Sequence, residues 1–506
     1  MFSISSKRAV RALQIFGVFI TILLPLGLTS CGSKSDSADI KTLNIGLTLA
    51  PTNLDIRTTS GAALEQVLLD NIYEGLVTTN EEGKVIPALA DSWKVSEDGL
   101  KYTFYLKKDL HFSDKRAVGA HDVVDSILDV KNNKLNGYAS LEKLEKIEAP
   151  DATTVVFDLT SPNPEFLWSL AGRVGIVIDK TKNIDYKTTA FGTGPFILSS
   201  WDGSTSLKLK RNDNYWGKKP EVEEINIVYI TDKNAAVNAL ESGTIQALFP
   251  INQLLSAKFK DNSKYKIQVA EGTDRFELAF NNATGPLTNE HVRKAIRYAI
   301  DHNEFIANRG GVDALLGGPI TKLEAGYEDL THLYPHDENK ARELLSEAGY
   351  STENPLKLSL KYASDTYGTE LGELLTSQLK KVGIELKVIS QDFPTWLDDV
   401  YKKHNYELTI VDRNEPKSFF HFTEPTYYFG YNSAKVQELY KEAEVSLSEE
   451  KEAQLLKEAA KVVSEDAACD WLFNYRTTVV YDARIQGLPI NFNQSRFPLK
   501  EVHFSK

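Results

Sequence analysis

Few side chains in this sequence stand at spacings that could support catalysis or bind a metal ion. His332 and His336 are four residues apart, which is the spacing of zinc ligands on a helix. Pro335 lies between them and disfavours a continuous helix, so we interpret both histidines as loop residues. His121 and Asp125 share this spacing, but one such pair is usually a solvated contact. The motifs G-x-S-x-G, H-E-x-x-H, C-x-x-C and G-x-x-x-x-G-K do not occur. The sequence therefore predicts no catalytic residue, no metal site and no cofactor.

The first of the two cysteines, Cys31, follows a sequence typical of an export signal. An apolar run, residues 12–28, comes after three cationic residues within the first eleven positions. At about 17 residues this run is at the lower limit for spanning a bilayer, so a signal peptide is favoured over a transmembrane anchor. The sequence LTSC that ends at Cys31 resembles the lipobox of bacterial lipoproteins, in which the cysteine is acylated. We therefore expect a signal peptide over residues 1–30, lipidation of Cys31 and a polar tether over residues 31–40, with an ordinary cleaved signal as the alternative.

Composition and charge limit the classes of partner. The formal net charge is −12, and it becomes −15 once residues 1–30 are removed, because they carry three cations and no acid. Such a charge disfavours nucleic acid as a partner. Hydrophobic residues make up 42% of the chain, and its length suggests two or three domains. No later stretch is apolar for long enough to span a bilayer. We expect the remaining cysteine, Cys469, to be a buried structural residue.

Alternating and helical patterns near the start of the mature chain predict both strands and helices. A strand should begin at Thr42, where apolar residues alternate. The alternation of Tyr102, Phe104 and Leu106 predicts a further strand. A helix should follow Ser60 as its N-cap. The predicted apolar face of this helix consists of Leu64, Val67, Leu68 and Ile72.

Later segments continue the same mixture of helices and strands. An apolar stripe over residues 289–307 predicts a helix, on which Arg293 and Arg297 should lie on the solvent-exposed face. Asp337 should cap another helix, which Gly349 should end. Helices alternating with strands are typical of a layered α/β protein.

Several short motifs occur in one order along nearly the whole chain after residue 40. Together they resemble the signature of family 5 extracellular solute-binding proteins, the peptide-binding components of ABC importers. The order of these blocks is more specific than any single block. The matching blocks are YEGLV at 73–77, LADSW at 89–93, DGLKYTF at 98–104, GTGPF at 192–196, VRKAI at 292–296, YAID at 298–301, KARELL at 340–345 and AGY at 348–350.

The resemblance implies an α/β, two-lobed, periplasmic-binding-protein-like fold with three domains. Domain I is discontinuous in this fold, domain II is inserted into it, and domain III follows a hinge crossing. We expect domain I over residues 41–85, 191–280 and 481–506, domain II over residues 86–190 and domain III over residues 281–480.

The same resemblance implies a ligand-binding site in the cleft between the lobes. The stretch Asp412-Arg413-Asn414-Glu415-Pro416 resembles a segment whose leading aspartate binds the amino terminus of a peptide. Family members usually carry a tryptophan shortly before that aspartate, and this chain lacks one. A surface Asx turn closed by Pro416 is the alternative, and Arg413 could pair locally with Glu415. Further candidates from the same resemblance are Phe393, Trp396, Asn53, Leu54, Thr193 and Gly194.

The implied function is the capture of oligopeptides and their delivery to the permease of an ABC importer. The implied location is extracytoplasmic, on the periplasmic side or the cell surface, with the monomeric protein attached to the membrane through its lipid. A non-peptide ligand on the same scaffold, such as a nickel chelate, haem or a sugar, stays open. So do an envelope-tethered hydrolase and a structural lipoprotein without a ligand.

Overall fold

The computed structural model describes most of the chain after residue 40. The predicted signal peptide, the lipidation site Cys31, the helix cap Ser60 and the site candidate Glu415 lie outside the described residues and stay predictions. Within the described stretches, no helix is both long and apolar enough to cross a membrane. The described stretches are residues 41–59, 61–351, 353–414, 416–491 and 496–505.

The described chain contains strands in three larger sheets and two two-stranded sheets. The strands are β1 Thr42–Leu47, β2 Val77–Thr79, β3 Val85–Pro87, β4 Ala90–Val95, β5 Lys101–Leu106, β6 Leu144–Glu148, β7 Thr154–Leu159, β8 Phe196–Asp202, β9 Ser206–Arg211, β10 Glu224–Tyr229, β11 Ala247–Phe249, β12 Tyr265–Val269, β13 Arg275–Phe280, β14 Leu356–Ala363, β15 Ile384–Gln391, β16 Leu408–Arg413, β17 Cys469–Asn474, β18 Thr478–Asp482, β19 Ile485–Gln486 and β20 His503–Phe504.

Helices alternate with these strands along the chain. They are α1 Ala62–Leu68, α2 Ala120–Asn132, α3 Phe166–Ala171, α4 Lys233–Glu241, α5 Gln253–Ser256, α6 Glu290–Ala299, α7 His302–Asn308, α8 Glu338–Glu347, α9 Ser364–Tyr367, α10 Glu370–Lys381, α11 Phe393–Trp396, α12 Ala434–Ala443 and α13 Glu449–Glu465.

The first sheet belongs to a domain assembled from distant parts of the chain. Its seven strands lie in the order β12-β18-β11-β1-β10-β9-β8, with β1 parallel to both β10 and β11. Alternation in β1 places Leu43, Ile45 and Leu47 in the core of this domain. This confirms the predicted strand at Thr42. The predicted apolar face of α1 is also buried, although the helix ends at Leu68.

The second sheet is antiparallel, with the order β4-β5-β7-β6. Tyr102 and Phe104 on β5 are buried, which confirms the predicted alternation. The Phe104 ring lies 5.5 Å from that of Phe157, which in turn lies 5.3 Å from Phe166 on α3. The buried residues of this core come from one continuous segment, residues 76–177. The second domain is therefore an insertion with a core of its own.

The third sheet has the order β15-β14-β16-β13-β17 and is covered on both faces. Helices α6, α8 and α10 pack on one face, and α12 and α13 contribute to the core on the other. The Asp337 carboxylate accepts hydrogen bonds from the backbone N–H groups of Asn339 and Lys340, and Gly349 follows α8 with φ of 87°. The predicted helix limits are thus confirmed. Cys469 on β17 is fully buried, as expected.

The expectation that Arg293 and Arg297 lie on a solvent-exposed helix face is wrong. They are only 8% and 2% exposed, and the predicted continuous helix is divided into α6 and α7, with Asp301 as the cap of α7. The Arg293 guanidinium donates hydrogen bonds to the backbone oxygens of Leu287 and Ala467, 2.9 Å and 3.1 Å away. Because a guanidinium group has five N–H donors, it can satisfy buried carbonyl groups at the ends of neighbouring elements.

Arg297 binds a second set of buried acceptors. It donates to the Ser464 backbone oxygen at 2.9 Å and to Asp470 Oδ2 at 3.3 Å, and its guanidinium lies 4.2 Å from the Tyr334 ring centre. His302 Nε2 lies 2.9 Å from the other oxygen of Asp470. The apolar stripe of α6 predicted that one face of the helix is buried. The side of the helix that carries Arg293 and Arg297 is buried as well.

The chain passes between the seven-stranded and five-stranded sheets in two short segments. Residues 270–274 connect β12 to β13, and residues 475–477 connect β17 to β18. The segments lie side by side, because the Tyr475 N–H donates to the Asp274 backbone oxygen at 2.9 Å. Two adjacent crossings of this kind form a hinge between lobes. The domain boundaries expected from the sequence stay predictions.

Candidate functional site

Asp412 lies at the hinge end of the five-stranded sheet. It is the second-to-last residue of β16 and is directly opposite Phe276 on β13. β13 begins at Arg275, immediately after one crossing segment, and β17 ends at Asn474, immediately before the other. The first four residues of β16 are apolar or Thr409 and are all buried, so the strand is fixed within the sheet. Its charged end is thereby placed beside the hinge.

One oxygen of the Asp412 carboxylate, Oδ1, is buried without a hydrogen-bond partner among the described residues. Burial raises the Asp412 pKa well above its usual range, Asp274 and Glu277 raise it further, and Arg413 and Arg275 oppose the shift. A surface Asx turn, the alternative considered from the sequence, is not what the structure shows. A buried carboxylate without a partner is costly, and a cationic group of a ligand would satisfy it.

Asp412 and Arg413 project from opposite faces of the sheet. Successive side chains of a strand alternate, and the register places Asp412 opposite Phe276 and Arg413 opposite Arg275. Phe276 belongs to the core beneath α6, α8 and α10, whereas Val411, which shares a face with Arg413, belongs to the opposite core. The side chains of Asp412 and Arg413 therefore lie in different surroundings.

The face that carries Arg413 also contains Arg275, Glu277 and Glu324, and we call these four residues the charged cluster. Glu277 lies between the two arginines, with Oε1 3.7 Å from Arg275 Nε and Oε2 3.8 Å from Arg413 Nε. These distances are ion pairs and are too long for hydrogen bonds. Arg275 Nη1 donates to Glu324 Oε2 at 2.6 Å. Burial raises the pKa of Glu277, whose Oε2 has no hydrogen bond within the described chain.

Aromatic residues surround the Arg413 guanidinium. Its Cζ lies 5.7 Å from the Tyr427 ring centre and 5.8 Å from that of Phe429, and Nη2 lies 3.4 Å from the Tyr428 hydroxyl. The His421 ring stacks on Tyr427 with centroids 4.4 Å apart. Burial, followed by the neighbouring guanidinium groups, lowers the His421 pKa to about 2. This histidine is therefore neutral at physiological pH.

The chain after β16 reaches the second domain. Lys417 Nζ lies 3.1 Å from Glu165 Oε1 and 5.8 Å from the Trp168 ring centre. The Lys417 backbone N–H donates to Glu324 Oε1 at 2.7 Å. Because Glu165 and Trp168 belong to the second domain and Glu324 to the third, Lys417 connects the two sides of the cleft.

A pocket, which we call the cleft pocket, lies at this junction. Pro164 and Glu165 of the second domain line it on one side, and Phe419, Tyr440 and Leu456 of the third domain on the other. It contains about 530 Å³ of space, part of it open to solvent.

The family model described as "Bacterial extracellular solute-binding proteins, family 5 Middle" matches residues 84–433, more than half of the chain. The chain belongs to this family. The match confirms the resemblance carried by the sequence motifs. It includes the second domain, β13 and the stretch that begins at Asp412.

Two curated relatives illustrate the ligands within this family of solute-binding proteins. The glutathione-binding protein GsiB of Pectobacterium atrosepticum is 29% identical over 340 residues, and the match covers 65% of each chain. The probable D,D-dipeptide-binding periplasmic protein DdpA of Escherichia coli is 28% identical over 430 residues, covering 80% of this chain and 82% of that protein. Both are binding proteins, which agrees with the prediction that this chain is not an enzyme.

The solved structures confirm the predicted fold class. NikA from Brucella suis, in complex with Fe(III)-EDTA, superposes with a TM-score of 0.80 at 23% identity. The superposition covers 92% of this chain and all of NikA (100%). The two-lobed α/β architecture of this solute-binding protein therefore extends over nearly its whole length.

Phe393 and Trp396 of the solute-binding protein lie beside the aromatic residues around Arg413. Trp396 is buried, and its Nε1 donates to Thr409 Oγ1 at 2.8 Å. Its ring meets Tyr428 edge-on at 6.1 Å, and Phe393, which is 43% exposed, stacks on it at 5.6 Å. The neighbouring candidate Asn414 is exposed. The ligand-binding role of these residues stays a prediction.

The remaining candidates of the solute-binding protein pack within the first domain. Asn53 Oδ1 accepts two hydrogen bonds of 2.9 Å from its own loop, and Leu54 is fully buried. Thr193 Oγ1 donates to Glu74 Oε2 at 2.9 Å, and a Cβ atom at Gly194 would meet a backbone oxygen at 2.5 Å. No hydrogen bond or ion pair of the described residues joins these four candidates to β16 or the charged cluster. Packing accounts for them, and their role in ligand binding stays a prediction.

Of the charged cluster, only Arg413 was a candidate from the sequence, and Arg275, Glu277, Glu324 and the nearby Lys417 were missed. A signal for the cluster exists in β13, since Arg275 and Glu277 occupy alternate positions of an otherwise apolar strand. Charged residues on one face of a buried strand require partners, which marks that face as unusual. No local signal connects Lys417 with Glu165, because the contact depends on how two domains meet.

Proposed function

We propose that this solute-binding protein captures peptides in the cleft between its lobes by pairing their amino terminus with Asp412. The buried Asp412 Oδ1, without a hydrogen-bond partner among the described residues, is the observation that carries this proposal. An α-ammonium group suits this position, because Asp274 and Glu277 make its surroundings acidic. The glutathione-binding and D,D-dipeptide-binding relatives support a peptide ligand.

One carboxylate cannot supply the whole affinity. A hydrogen bond to a charged group contributes about 1.5 to 3 kcal/mol, whereas micromolar binding requires about 8 kcal/mol. Hydrogen bonds to the peptide main chain and burial between the lobes supply the remainder. Main-chain hydrogen bonds do not depend on the identity of the side chains, so they suit a receptor for many peptides.

The ligand stabilises closure of the lobes in this proposal. Lys417 on the third domain is 3.1 Å from Glu165 on the second, so these domains contact each other around the cleft. A ligand that contacts both lobes binds the closed arrangement more tightly and shifts the population towards it. The permease of an ABC importer then recognises the closed protein.

Attachment to the outer face of a membrane belongs to the same proposal. The position of Cys31 after an apolar run and before a polar tract supports its acylation. Several acyl chains hold a protein on a membrane far more firmly than one, since each buried CH₂ contributes about 0.8 kcal/mol. The receptor domain would then remain close to its permease as a monomer.

A carboxylate-rich metal chelate is the second candidate ligand. The Arg413 guanidinium favours such a chelate. Its hydrogen bond from Nη2 to the Tyr428 hydroxyl is long, at 3.4 Å, and its Nε lies 3.8 Å from Glu277 Oε2. A guanidinium group with only long contacts to its neighbours can bind a ligand carboxylate. The NikA complex with Fe(III)-EDTA shows that the same fold accommodates a chelate.

Native mass spectrometry of the purified protein tests these candidates. After incubation with a pool of short peptides, a peptide receptor retains intact peptides, whereas a chelate receptor retains a metal-containing mass instead. Asp412→Asn should retain much less peptide, and the exposed control Asp365→Asn should behave like the wild type. Peptide fragments would indicate a hydrolase. Absence of any bound peptide would contradict the proposal.

A further inference from the structure

Asp274 lies on the same face of the five-stranded sheet as Asp412. It directly precedes β13 and is two residues before Phe276, which is opposite Asp412. The Asp274 backbone oxygen accepts the Tyr475 N–H at 2.9 Å, so the antiparallel pairing of β13 with β17 continues one residue further to Asp274. Because side chains two residues apart on an extended strand share a face, the Asp274 side chain is directed to the side of Phe276 and Asp412.

The two carboxylates are close enough for Asp274 to affect the ionisation of Asp412. Burial raises the Asp412 pKa most, and Asp274 raises it further, ahead of Glu277. Asp274 is itself only 4% exposed. Burial also raises the pKa of Tyr475, and both Asp274 and Asp412 are among the acidic groups that add to this shift. Diagonal neighbours on adjacent strands are about 7 to 8 Å apart, and their side chains come closer, so one ammonium group can reach both carboxylates.

The arginines near Asp412 are already paired with other acids. On the Asp412 face, the Arg309 guanidinium lies 5.4 Å from the Phe276 ring centre, and its Nε donates to Asp313 Oδ2 at 2.6 Å. The opposite face holds two arginines and two glutamates that pair with one another, namely Arg275, Arg413, Glu277 and Glu324. The Asp412 face therefore carries an excess of negative charge beside the hinge.

Aromatic rings border the two carboxylates. The Phe276 ring centre lies 5.6 Å from that of Tyr367 and 6.4 Å from that of Tyr475. Aromatic faces attract cations, and carboxylates accept charge-assisted hydrogen bonds from them. The buried Oδ1 of Asp412, for which the described chain offers no hydrogen-bond partner, belongs to these surroundings. Their chemistry matches an ammonium group.

We propose that Asp274 is a second carboxylate for the ligand, so that the amino-terminal ammonium group of the peptide binds between Asp412 and Asp274. This inference rests on the proposed peptide-binding function and adds a residue that contacts the ligand. An ammonium group has three N–H donors, and a carboxylate has about four acceptor sites, so both acids can bind it in addition to their contacts within the protein. Since Asp274 ends the crossing segment 270–274, the ligand amine is bound to the hinge as well as to β16.

Competition between free and acetylated peptides tests the role of Asp274. The probe is a pool of short alanine and leucine peptides with a free amino terminus, mixed with an equal amount of the same pool after acetylation. Native mass spectrometry of the full chain gives the ratio of free to acetylated peptide bound between pH 4.5 and pH 7.5, below the amine pKa of about 8. For the wild type, this ratio should exceed one and rise with pH as Asp412 ionises.

Asp274→Asn should change this ratio in two ways. Its highest value should fall about three- to ten-fold, because one of the charge-assisted hydrogen bonds to the ammonium group is lost. The rise should also move to lower pH, because a negative charge that raises the Asp412 pKa is removed. Asp274→Ser, which is smaller and also uncharged, should act in the same way. The exposed control Asp261→Asn should match the wild type.

The outcomes separate this inference from the peptide-binding function. A role of Asp274 in folding alone would lower binding of both pools equally and leave their ratio and its pH dependence unchanged. That result, or variants that bind like the wild type, would overturn the inference while peptide binding stands. A wild type that binds both pools equally, or neither of them, would contradict the proposed function itself.

Discussion

Asp412 on β16 lies directly opposite Phe276 on β13, at the end of the sheet where the chain crosses between the lobes. This relationship places a carboxylate against an aromatic core, and its Oδ1 has no hydrogen-bond partner among the described residues. Such a group is costly in the unliganded protein, and an ammonium group that enters the site removes this cost. Recognition of a peptide amino terminus thus depends on the sheet register.

We predict that binding of a peptide amine releases a proton from Asp412. Burial raises the pKa of this carboxyl in the free protein, and a bound ammonium group stabilises the ionised form and lowers it again. Affinity should therefore increase as the pH rises through the raised pKa. The heat of peptide binding, measured by titration calorimetry, should differ between two buffers of different ionisation enthalpy. Asp412→Asn should abolish the difference, and a wild-type affinity independent of pH would contradict the prediction.

The ion pair between Lys417 and Glu165 should contribute modestly to affinity. Its atoms are 3.1 Å apart and both side chains are partly exposed, so we expect Lys417→Glu to weaken peptide binding by about two- to five-fold. Adding Glu165→Lys reverses both charges and should restore most of the affinity. Calorimetry at low and high salt would measure this effect. A double variant no better than the single variant would show that the pair does not stabilise closure.

We expect Arg297 to be essential for stability, although the apolar stripe of its helix predicted an exposed side chain that could be replaced without effect. Arg297→Met leaves Asp470 buried with His302 as its remaining side-chain partner, and loss of one member of a buried ion pair costs about 3 to 5 kcal/mol. Urea denaturation would measure the free energy of unfolding. The exposed control Arg342→Met on α8 should change it by less than about 0.5 kcal/mol. Equal effects of the two variants would contradict this assignment.

Glu74 should make stability depend on pH. Burial raises its pKa to about 7, even though Tyr215, Thr193 and Trp216 donate hydrogen bonds to it and oppose the shift. In the unfolded chain this carboxyl ionises near pH 4.5, so its contribution to stability is fully present below that pH. The contribution is lost as the pH rises through the folded pKa, because the folded state then has to release a proton.

Glu74→Gln removes this titration. Relative to that variant, the wild-type free energy of unfolding should fall between about pH 5 and pH 8, by at most about 3 kcal/mol. Denaturant unfolding across this range measures the difference. The exposed control Glu97→Gln should follow the wild type. The prediction would be contradicted if the free energies of unfolding of Glu74→Gln and the wild type changed in parallel with pH.

Local signals in the sequence were sufficient to predict many elements of the fold. Asp337 caps α8 and Gly349 follows it with positive φ, because caps and left-handed glycines act within a few residues. The surroundings of Arg297 could not be predicted in this way. Its acceptors are Ser464 and Asp470, which only the tertiary fold brings to α6.

The sequence indicated Asp412, Arg413, Phe393 and Trp396 as candidates, whose ligand-binding role stays a prediction, but it did not indicate Glu277, which lies against Arg413. The motif resemblance indicated Asp412, and the structure places it beside the hinge and away from open solvent. The burial of Glu277 between Arg275 and Arg413 depends on the pairing of β13 with β16, strands that are distant in sequence. Sequence patterns show which residues share a face of one strand, but they do not show which strand lies beside it.

The affinity of one bound peptide, measured with a free and with an acetylated amino terminus, tests the central claim most directly. Acetylation removes the cationic group and leaves the rest of the peptide unchanged. The wild type should bind the free form about 10- to 100-fold more tightly, the ratio given by a charge-assisted hydrogen bond, and Asp412→Asn should reduce this ratio to near one. Equal binding of both forms by the wild type, or an undiminished ratio in Asp412→Asn, would contradict the assignment of Asp412 as the amino-terminal anchor.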